Sequence, residues 1–302
     1  MSQHLRAVIM VLIAATLLGS MGAWGRLIFR YEPDPMLVVT WRALFGTLAL
    51  AAVLAAVRPA LLRVRPRDLP FFLLYGFTGI TLNFWTYFSA VKYTTLAVAI
   101  TLLYTYPVFV AILSALFLGE RLTRTKVGAI LVTLLGSALV AQAYSVDLLR
   151  LNLRGTLFGL MTGVSMALYT IFGKRALSRY PPWTVVLYAF GAGTLFLALG
   201  SGDRLLEASH YPAAAWLWIL GLALIPSLGG YTLYTLGLRD LPASQASVIA
   251  TWEVVTAAGL GWLCYGEVLA FPQIAGAALV CGGIAWIQRA RPDCIPVECG
   301  RP

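Results

Sequence analysis

The sequence predicts an all-α polytopic membrane protein: ten transmembrane helices in two inverted five-helix repeats, with both termini cytoplasmic. Three observations predict it: a composition unsuited to a water-facing surface, ten apolar stretches near the length a bilayer demands, and a gapless match between the two halves. Of 302 residues, 60% are hydrophobic and only 11% are charged, and the mean hydropathy is +0.83. That excludes a pair of soluble domains and points to lipid as the solvent.

A hydrocarbon core of about 30 Å needs roughly 20 apolar residues per helix, because every backbone amide must find its partner inside the helix. Ten segments approach this length: 7–29, 35–57, 69–91, 95–119, 125–144, 155–173, 183–200, 213–237, 242–265 and 270–288. The first follows a lone Arg6 and lacks a small-residue cleavage site, so it reads as a helix rather than a removed leader. The second starts beside Asp34 and carries Arg42 about two turns in. The third holds Tyr75, Thr78, Thr81, Asn83, Trp85, Thr86 and Tyr87, more polar and aromatic groups than a lipid-facing helix needs. Pro107 removes a hydrogen bond from the middle of the fourth. Gly128 and Gly136 in the fifth, and Gly276, Gly282 and Gly283 in the tenth, read as close-packing faces. The sixth offers Ser165 and Tyr169, and the seventh is among the shortest. In the eighth, Ile225-Pro226 and Gly229-Gly230 loosen the ladder ahead of Tyr231 and Tyr234. The ninth carries Trp252 and Glu253 at its centre.

The formal net charge of +10 does not signal a nucleic-acid partner, because the basic residues fall in short clusters between apolar runs. Cytoplasmic loops retain Lys and Arg during insertion. On one side lie Arg6, then Arg58, Arg63, Arg65 and Arg67, then Arg121, Arg124 and Lys126, then Lys174, Arg175 and Arg179, then Arg239, and finally Arg289, Arg291 and Arg301. The other side has only Arg30, Lys92, Arg150, Arg154 and Arg204. Both termini are therefore expected in the cytoplasm of a bacterial cell, with the chain a multi-pass protein of the inner membrane.

The stretch from Ala90, AVKYTTLAVAITLLYTYPVFVAILSALFLGERL, aligns without gaps to GLRDLPASQASVIATWEVVTAAGLGWLCYGEVL from Gly237, an offset of 147. Gly119-Glu120 meets Gly266-Glu267, Lys92 meets Arg239, and Gly79 meets Pro226. A weaker echo pairs Gly25-Arg26 with Gly173-Lys174. The repeats are assigned to residues 1–147 and 148–288, followed by a cytoplasmic tail over 289–302. Because each copy holds an odd number of helices, the second must enter the membrane from the side opposite to the first. Such inverted halves are the architecture of many secondary transporters.

AVKYT before a helix with a central Pro107, LFLGERLT before a Gly-rich helix, and then GLRDLPAS, WEVV, YGEVL and IAGAALVCGGIAW together resemble the drug/metabolite transporter superfamily, specifically its ten-helix EamA-type exporters. The resemblance covers residues 7 to 288. Length and aromatic content look closest to the aromatic amino acid exporters. It implies a carrier that exports amino acids, aromatic or other neutral, or related small amphipathic metabolites by alternating access. Nucleosides, sugars or drugs are the alternative substrates. One departure is that Val254 stands where Pro107 has its counterpart, so no proline bends the ninth helix.

A carboxylate deep in the apolar layer must face a partner or a wet cavity, or keep its proton, and Glu253 is in that position. Protons are thus the candidate coupling ion. Arg42 either snorkels outward or meets a substrate carboxylate. Asn83, Tyr87, Tyr104, Ser165, Tyr169, Tyr231 and Trp252 complete the candidate lining, since rings with one polar handle suit amphipathic ligands. For Asn83, Tyr104, Ser165 and Tyr169 a helix-helix hydrogen bond competes with that role. Tyr87, Tyr234, Trp183 and Trp286 also fit an interfacial aromatic belt, and Glu120 and Glu267 fit helix ends beside basic loops. Pro107, Pro226, Gly229 and Gly230 are candidate hinges.

No metal ligand set or cofactor motif is evident: Cys264 and Cys281 lie in apolar runs, and Cys294 and Cys299 sit in the tail without histidine neighbours. His4 and His210 fall on opposite sides and no Walker-type loop is found, which argues against an enzyme. One buried acid without charge rings or a carbonyl filter argues against a channel. The expected partners are a small-molecule substrate and membrane lipid, with one chain sufficient as a monomer.

Overall fold

The computed structural model describes residues 2–31, 33–94, 96–144 and 152–289. Among them every regular element is helical, as lipid requires of a chain that cannot close into a barrel. The segments are α1 (Gln3–Tyr31), α2 (Pro35–Val57), α3 (69–93), α4 (96–117), α5 (Arg124–Val140), α6 (Leu153–Leu177), α7 (Pro182–Ser201), α8 (Ala213–Asp240), α9 (Ala243–Tyr265) and α10 (Phe271–Ile287). By length and composition α1, α2, α4 and α6 to α9 can each cross a membrane. The expected boundaries are close, but α6 runs a turn further than 173 and α5 stops at Val140 rather than 144. Arg150, Arg291, Arg301, Cys294 and Cys299 lie outside the described residues.

Local chemistry sets the helix ends. The Asp34 carboxylate accepts from the Met36 amide at 2.7 Å, and Pro35 needs no such partner in the first turn. Asn152 caps α6 through the Arg154 amide at 2.9 Å. Gly119 and Gly266, 147 residues apart, both take left-handed φ values of 71° and 67° and let the chain turn away from α4 and α9.

The helix interruptions also recur in pairs. α3 and α8 each contain a wide π-helical turn, over residues 77–81 and Ala223–Gly229. Pro226 lies inside the second one, where the Ser227 hydroxyl donates to the Leu222 carbonyl at 2.7 Å. α4 breaks at 104–105, with Pro107 in the first turn beyond; there the Thr105 amide and hydroxyl both donate to Leu102 O, at 3.2 and 2.6 Å. α9 breaks as well, at Thr251, which corrects the expectation drawn from Val254. The Thr251 amide and hydroxyl likewise share Val248 O, at 3.2 and 2.7 Å. A threonine bonding back along its own helix can bend it without proline.

Packing follows one rule throughout. α1 lies on α8 and α9, while α6 lies on α3 and α4; α2 packs on α8, and α7 on α3; the remaining main pairs are α2 with α7, α4 with α9 and α5 with α10. Exchanging α1–α5 for α6–α10 reproduces this set of pairs. The Thr47 and Thr194 hydroxyls, 147 residues apart, meet at 3.1 Å between α2 and α7. In the α5–α10 seam a Cβ on Gly136 would stand 2.7 Å from the Gly276 carbonyl and 2.9 Å from the Val280 amide nitrogen, so only glycine permits the approach. Gly128 receives the Trp286 ring, whereas Gly282 meets no atom within 4 Å, so it does not belong to the packing face expected of it.

Gly136→Leu should therefore destabilise the protein by about 1–3 kcal/mol, the usual cost of overpacking a tight interface. The measurement is the thermal unfolding midpoint in detergent, with Gly282→Ala expected to leave it unchanged.

Candidate functional site

The breaks in α4 and α9 bring polar groups to the level at which those helices cross. On α2, Arg42 is only 6% exposed, and its guanidinium stacks on the Phe84 ring of α3 at 4.5 Å. Its Nη1 donates toward the Met21 sulfur at 3.5 Å, and its buried Nε has no hydrogen-bond partner among the described residues. Arg42 therefore does not snorkel; it lies flat on an aromatic face with donors unspent.

Tyr231 of α8 stands within electrostatic reach of both Arg42 and Glu253, so it links the two charges. Its ring packs on Tyr169 at 5.2 Å and on Phe190 at 5.0 Å. Glu253 is half-buried, two residues past the break in α9, and its carboxylate makes no hydrogen bond or ion pair with a described residue. Tyr87, Tyr104 and Tyr106 also lie within its field. A carboxylate so placed is served by water or a ligand, since leaving it dry and unpaired is costly.

Five expected residues thus come together: Arg42, Tyr87, Tyr104, Tyr231 and Glu253. Trp252 borders them, its indole donating to the Thr16 hydroxyl of α1 at 3.1 Å. Tyr169 sits behind Tyr231, buried against the Tyr75 ring at 5.2 Å. Asn83 and Ser165 turn elsewhere, into the α3–α6 seam. There the Asn83 amide donates to Thr162 O at 3.1 Å and the Ser165 hydroxyl donates to Thr78 O. Tyr234 is not part of an interfacial belt, because it is buried with its hydroxyl 2.9 Å from that of Thr170. Tyr87 is half-buried, its ring 5.5 Å from that of Phe88. Among the candidate hinges, Pro107 and Pro226 lie at the breaks just described, and Gly229 and Gly230 lie under Leu17 and Leu18 of α1.

Sequence reasoning missed Phe84, Tyr106 and Met21. The Tyr106 hydroxyl donates to Ser247 O at 2.9 Å and joins α4 to α9, a role its position next to Pro107 could have suggested. Phe84 and Met21 gave no signal, because apolar side chains acquire a role here only through tertiary contact with Arg42.

The two ends of the molecule differ. On one, residues Ala243–Ala250 of α9 are all buried and pack on the second half of α4. On the other, the equivalent pair is the first half of α4 and the second half of α9. Packing of that extent is not formed there among the described residues, and within Trp252–Tyr265 only Val254 and Gly261 are buried. Glu253 lies on this second segment of α9, in its first turn. Two surface hollows lie away from it: about 380 Å³ among Arg65, Asp68, Arg179 and Tyr180, and about 280 Å³ of apolar side chains on α2, α3 and α7.

The model of the EamA-like transporter family matches the chain twice, over residues 5–142 and 153–289. An uncharacterised transporter of Archaeoglobus fulgidus is 29% identical over 91% of this chain and 94% of its own length. The pseudopaline exporter CntI of Pseudomonas aeruginosa is 29% identical over 80% of this chain and 82% of its own. A probable terminal-alkyne amino-acid exporter of Streptantibioticus cattleyicolor is 31% identical over 80% of this chain and 79% of its own. One crystal structure shares the fold, with a TM-score of 0.78 at 21% identity over 93% of this chain and 96% of that one.

The placement of Asn83 separates scaffold from lining. Asn83→Ala should cost about 0.5–1.5 kcal/mol, the net worth of one interhelical hydrogen bond. The unfolding midpoint should fall while the KM for any transported substrate stays within about twofold, since uniform ligand binding is not touched.

Proposed function

This chain belongs to the EamA-like transporter family, a family of polytopic membrane proteins, and on that premise we propose that it exports amino acids or related small amphipathic metabolites across a bacterial inner membrane. The observation that carries the reading is that Arg42 and Glu253 each lie within reach of Tyr231, the guanidinium with an Nε that bonds nothing and the carboxylate with no hydrogen bond or ion pair among the described residues. A zwitterion has the matching charges. Its carboxylate would take the guanidinium of Arg42, and its ammonium group would take the carboxylate of Glu253. Tyr87, Tyr104 and the Phe84 ring would supply the amphipathic wall that receives its side chain. The name of the Streptantibioticus relative, an amino-acid exporter, supports the same substrate class.

Movement follows from the halves. Ten crossings with both termini in the cytoplasm make two five-helix repeats inverted relative to one another, over 1–147 and 148–288. Three observations support this: the distribution of Lys and Arg, the two separate matches to one family, and the set of helix pairs that survives exchange of the halves. If the halves trade conformations, the parted end closes and the packed end opens around a fixed site. Pro107, Pro226, Gly229 and Gly230 are proposed to flex during that exchange, in a carrier that works as a monomer. Glu253 is the proposed proton-coupling group, because a membrane-embedded carboxylate can carry a proton through the same cycle.

In proteoliposomes, amino-acid uptake should be saturable and stimulated by substrate on the opposite side. Arg42→Gln should lower kcat/KM for amino acids by about tenfold or more, the loss expected when a charged hydrogen bond goes unmade. It should affect a decarboxylated amine far less. Glu253→Gln should flatten the pH dependence of flux. Transport of nucleotide sugars without transport of any amino acid would overturn the substrate assignment, and an unaltered pH profile in Glu253→Gln would remove the coupling role.

A further inference from the structure

At the packed end, the corner between α8 and α9 is held from both sides. Lys174, in the last turn of α6, donates from Nζ to the carbonyls of Leu238, Arg239 and Leu241 at 3.0, 3.0 and 2.8 Å, at the negative end of α8. Glu120, just past α4, accepts from the Ala243 and Ser244 amides at 2.5 and 3.3 Å and from the Ser244 hydroxyl at 2.5 Å, at the positive end of α9. Glu120 lies 3.6 Å from Lys126, beside the basic loop as expected, but it is only 3% exposed. A cation from one half and an anion from the other thus clamp the corner where the buried half of α9 begins.

Shifted back by 147 residues, that corner becomes the one between α3 and α4. Its anion should be Glu267, which stands 147 residues from Glu120, and its cation Arg26, which lies one residue off that register but pairs with Lys174 through the Gly25-Arg26 and Gly173-Lys174 echo. Among the described residues, neither group bonds to that corner. Arg26 instead donates to Glu267 itself, stacked over the Tyr265 ring at 4.5 Å, with the two side chains 51% and 45% exposed. The equivalents of the three carbonyls that Lys174 holds belong to Val91, Lys92 and Thr94, at the end of α3.

From this broken correspondence, and resting on the alternating-access reading above, we infer that Arg26 is the parked cation of a second clamp. When the parted end closes, Arg26 leaves Glu267 and grips the Val91, Lys92 and Thr94 carbonyls, while Lys174 releases α8. Glu267, freed of Arg26, takes the amide end of α4 as Glu120 takes that of α9. The direction of bias follows from screening. An exposed ion pair contributes little to the parked state, whereas a cation buried on three carbonyls contributes more to the closed one.

The test reads both ends at once by spin-label distances in the full-length chain in proteoliposomes, with the four native cysteines replaced by serine. One label pair is Lys92→Cys with Val268→Cys, across the parted end, where Val268 is 89% exposed. Its repeat equivalent is Arg239→Cys with Arg121→Cys, across the packed end. Lys174→Gln should increase the short 92–268 population and lengthen 121–239. Arg26→Gln should act oppositely: it should deplete the short 92–268 population present during amino-acid counterflow and slow turnover by about tenfold, the effect of about 1.4 kcal/mol on the closed state. It should also keep the 121–239 distance short, which shows the variant folded, and Arg26→Lys should resemble the unsubstituted protein. A larger short 92–268 population in Arg26→Gln would mean that Arg26 only props this end open, and an unchanged one would mean that it does nothing there; either result overturns the clamp. If neither distance responds to amino acid in the labelled chain that keeps Arg26 and Lys174, the carrier reading fails first, and the clamp with it.

Discussion

Inside lipid, a backbone N–H or C=O that leaves the helical ladder has no water to turn to, and the arrangement of this molecule depends on how that is managed. Continuous helices carry the bulk of the span. Where α3, α4, α8 and α9 depart from α-helical pairing, a wide turn or a nearby hydroxyl takes up the freed carbonyls: Thr105 serves Leu102, Thr251 serves Val248, and Ser227 serves Leu222. The two breaks in α4 and α9 face one another, so the chain tolerates irregular backbone mainly where protein surrounds it. That region is also where a buried guanidinium and a carboxylate can be accommodated, because local dipoles and aromatic faces substitute for solvent.

Most of the fold was legible in the sequence because its governing quantity, hydrophobic length, is additive along the chain. Apolar run length could be read residue by residue, and the 147-residue offset anticipated the paired glycines Gly119 and Gly266 that end α4 and α9. The interruption of α9 was not legible. Proline announces a bend through its missing donor, whereas Thr251 bends its helix with a side chain that elsewhere simply faces out. Glu120 was legible only in part: it ends its helix beside basic Lys126, as its sequence neighbours imply, but its further partners, Ala243 and Ser244, come from residues far along the chain. Site residues divided the same way: charges expensive to bury, Arg42 and Glu253, stood out, while Asn83 and Ser165 could serve a seam or a cavity equally well, and only the packing of α3 on α6 decided between them.

Two similar halves need not adopt similar shapes at one moment. The first part of α9 is held against α4 by the Tyr106–Ser247 bond and by Glu120, and each of those contacts has an equivalent position in the other repeat that makes a different contact or none among the described residues. Identical conformations in both halves would either seal the two ends or part them together. In the proposed carrier, a centre that communicates with one side at a time requires the halves to disagree, and among the described residues the disagreement includes these polar side chains and the helix segments they hold.

The contact between Thr47 and Thr194 has a different standing from all of these. It joins a residue to its own counterpart, so trading the shapes of the halves carries the contact onto itself. Whatever strength it has enters both conformations equally and cancels from the balance between them. Under the proposed exchange of the halves, strengthening or weakening such a pair would alter how readily the molecule rocks but not which way it leans, which would make the α2–α7 seam a bearing rather than a switch.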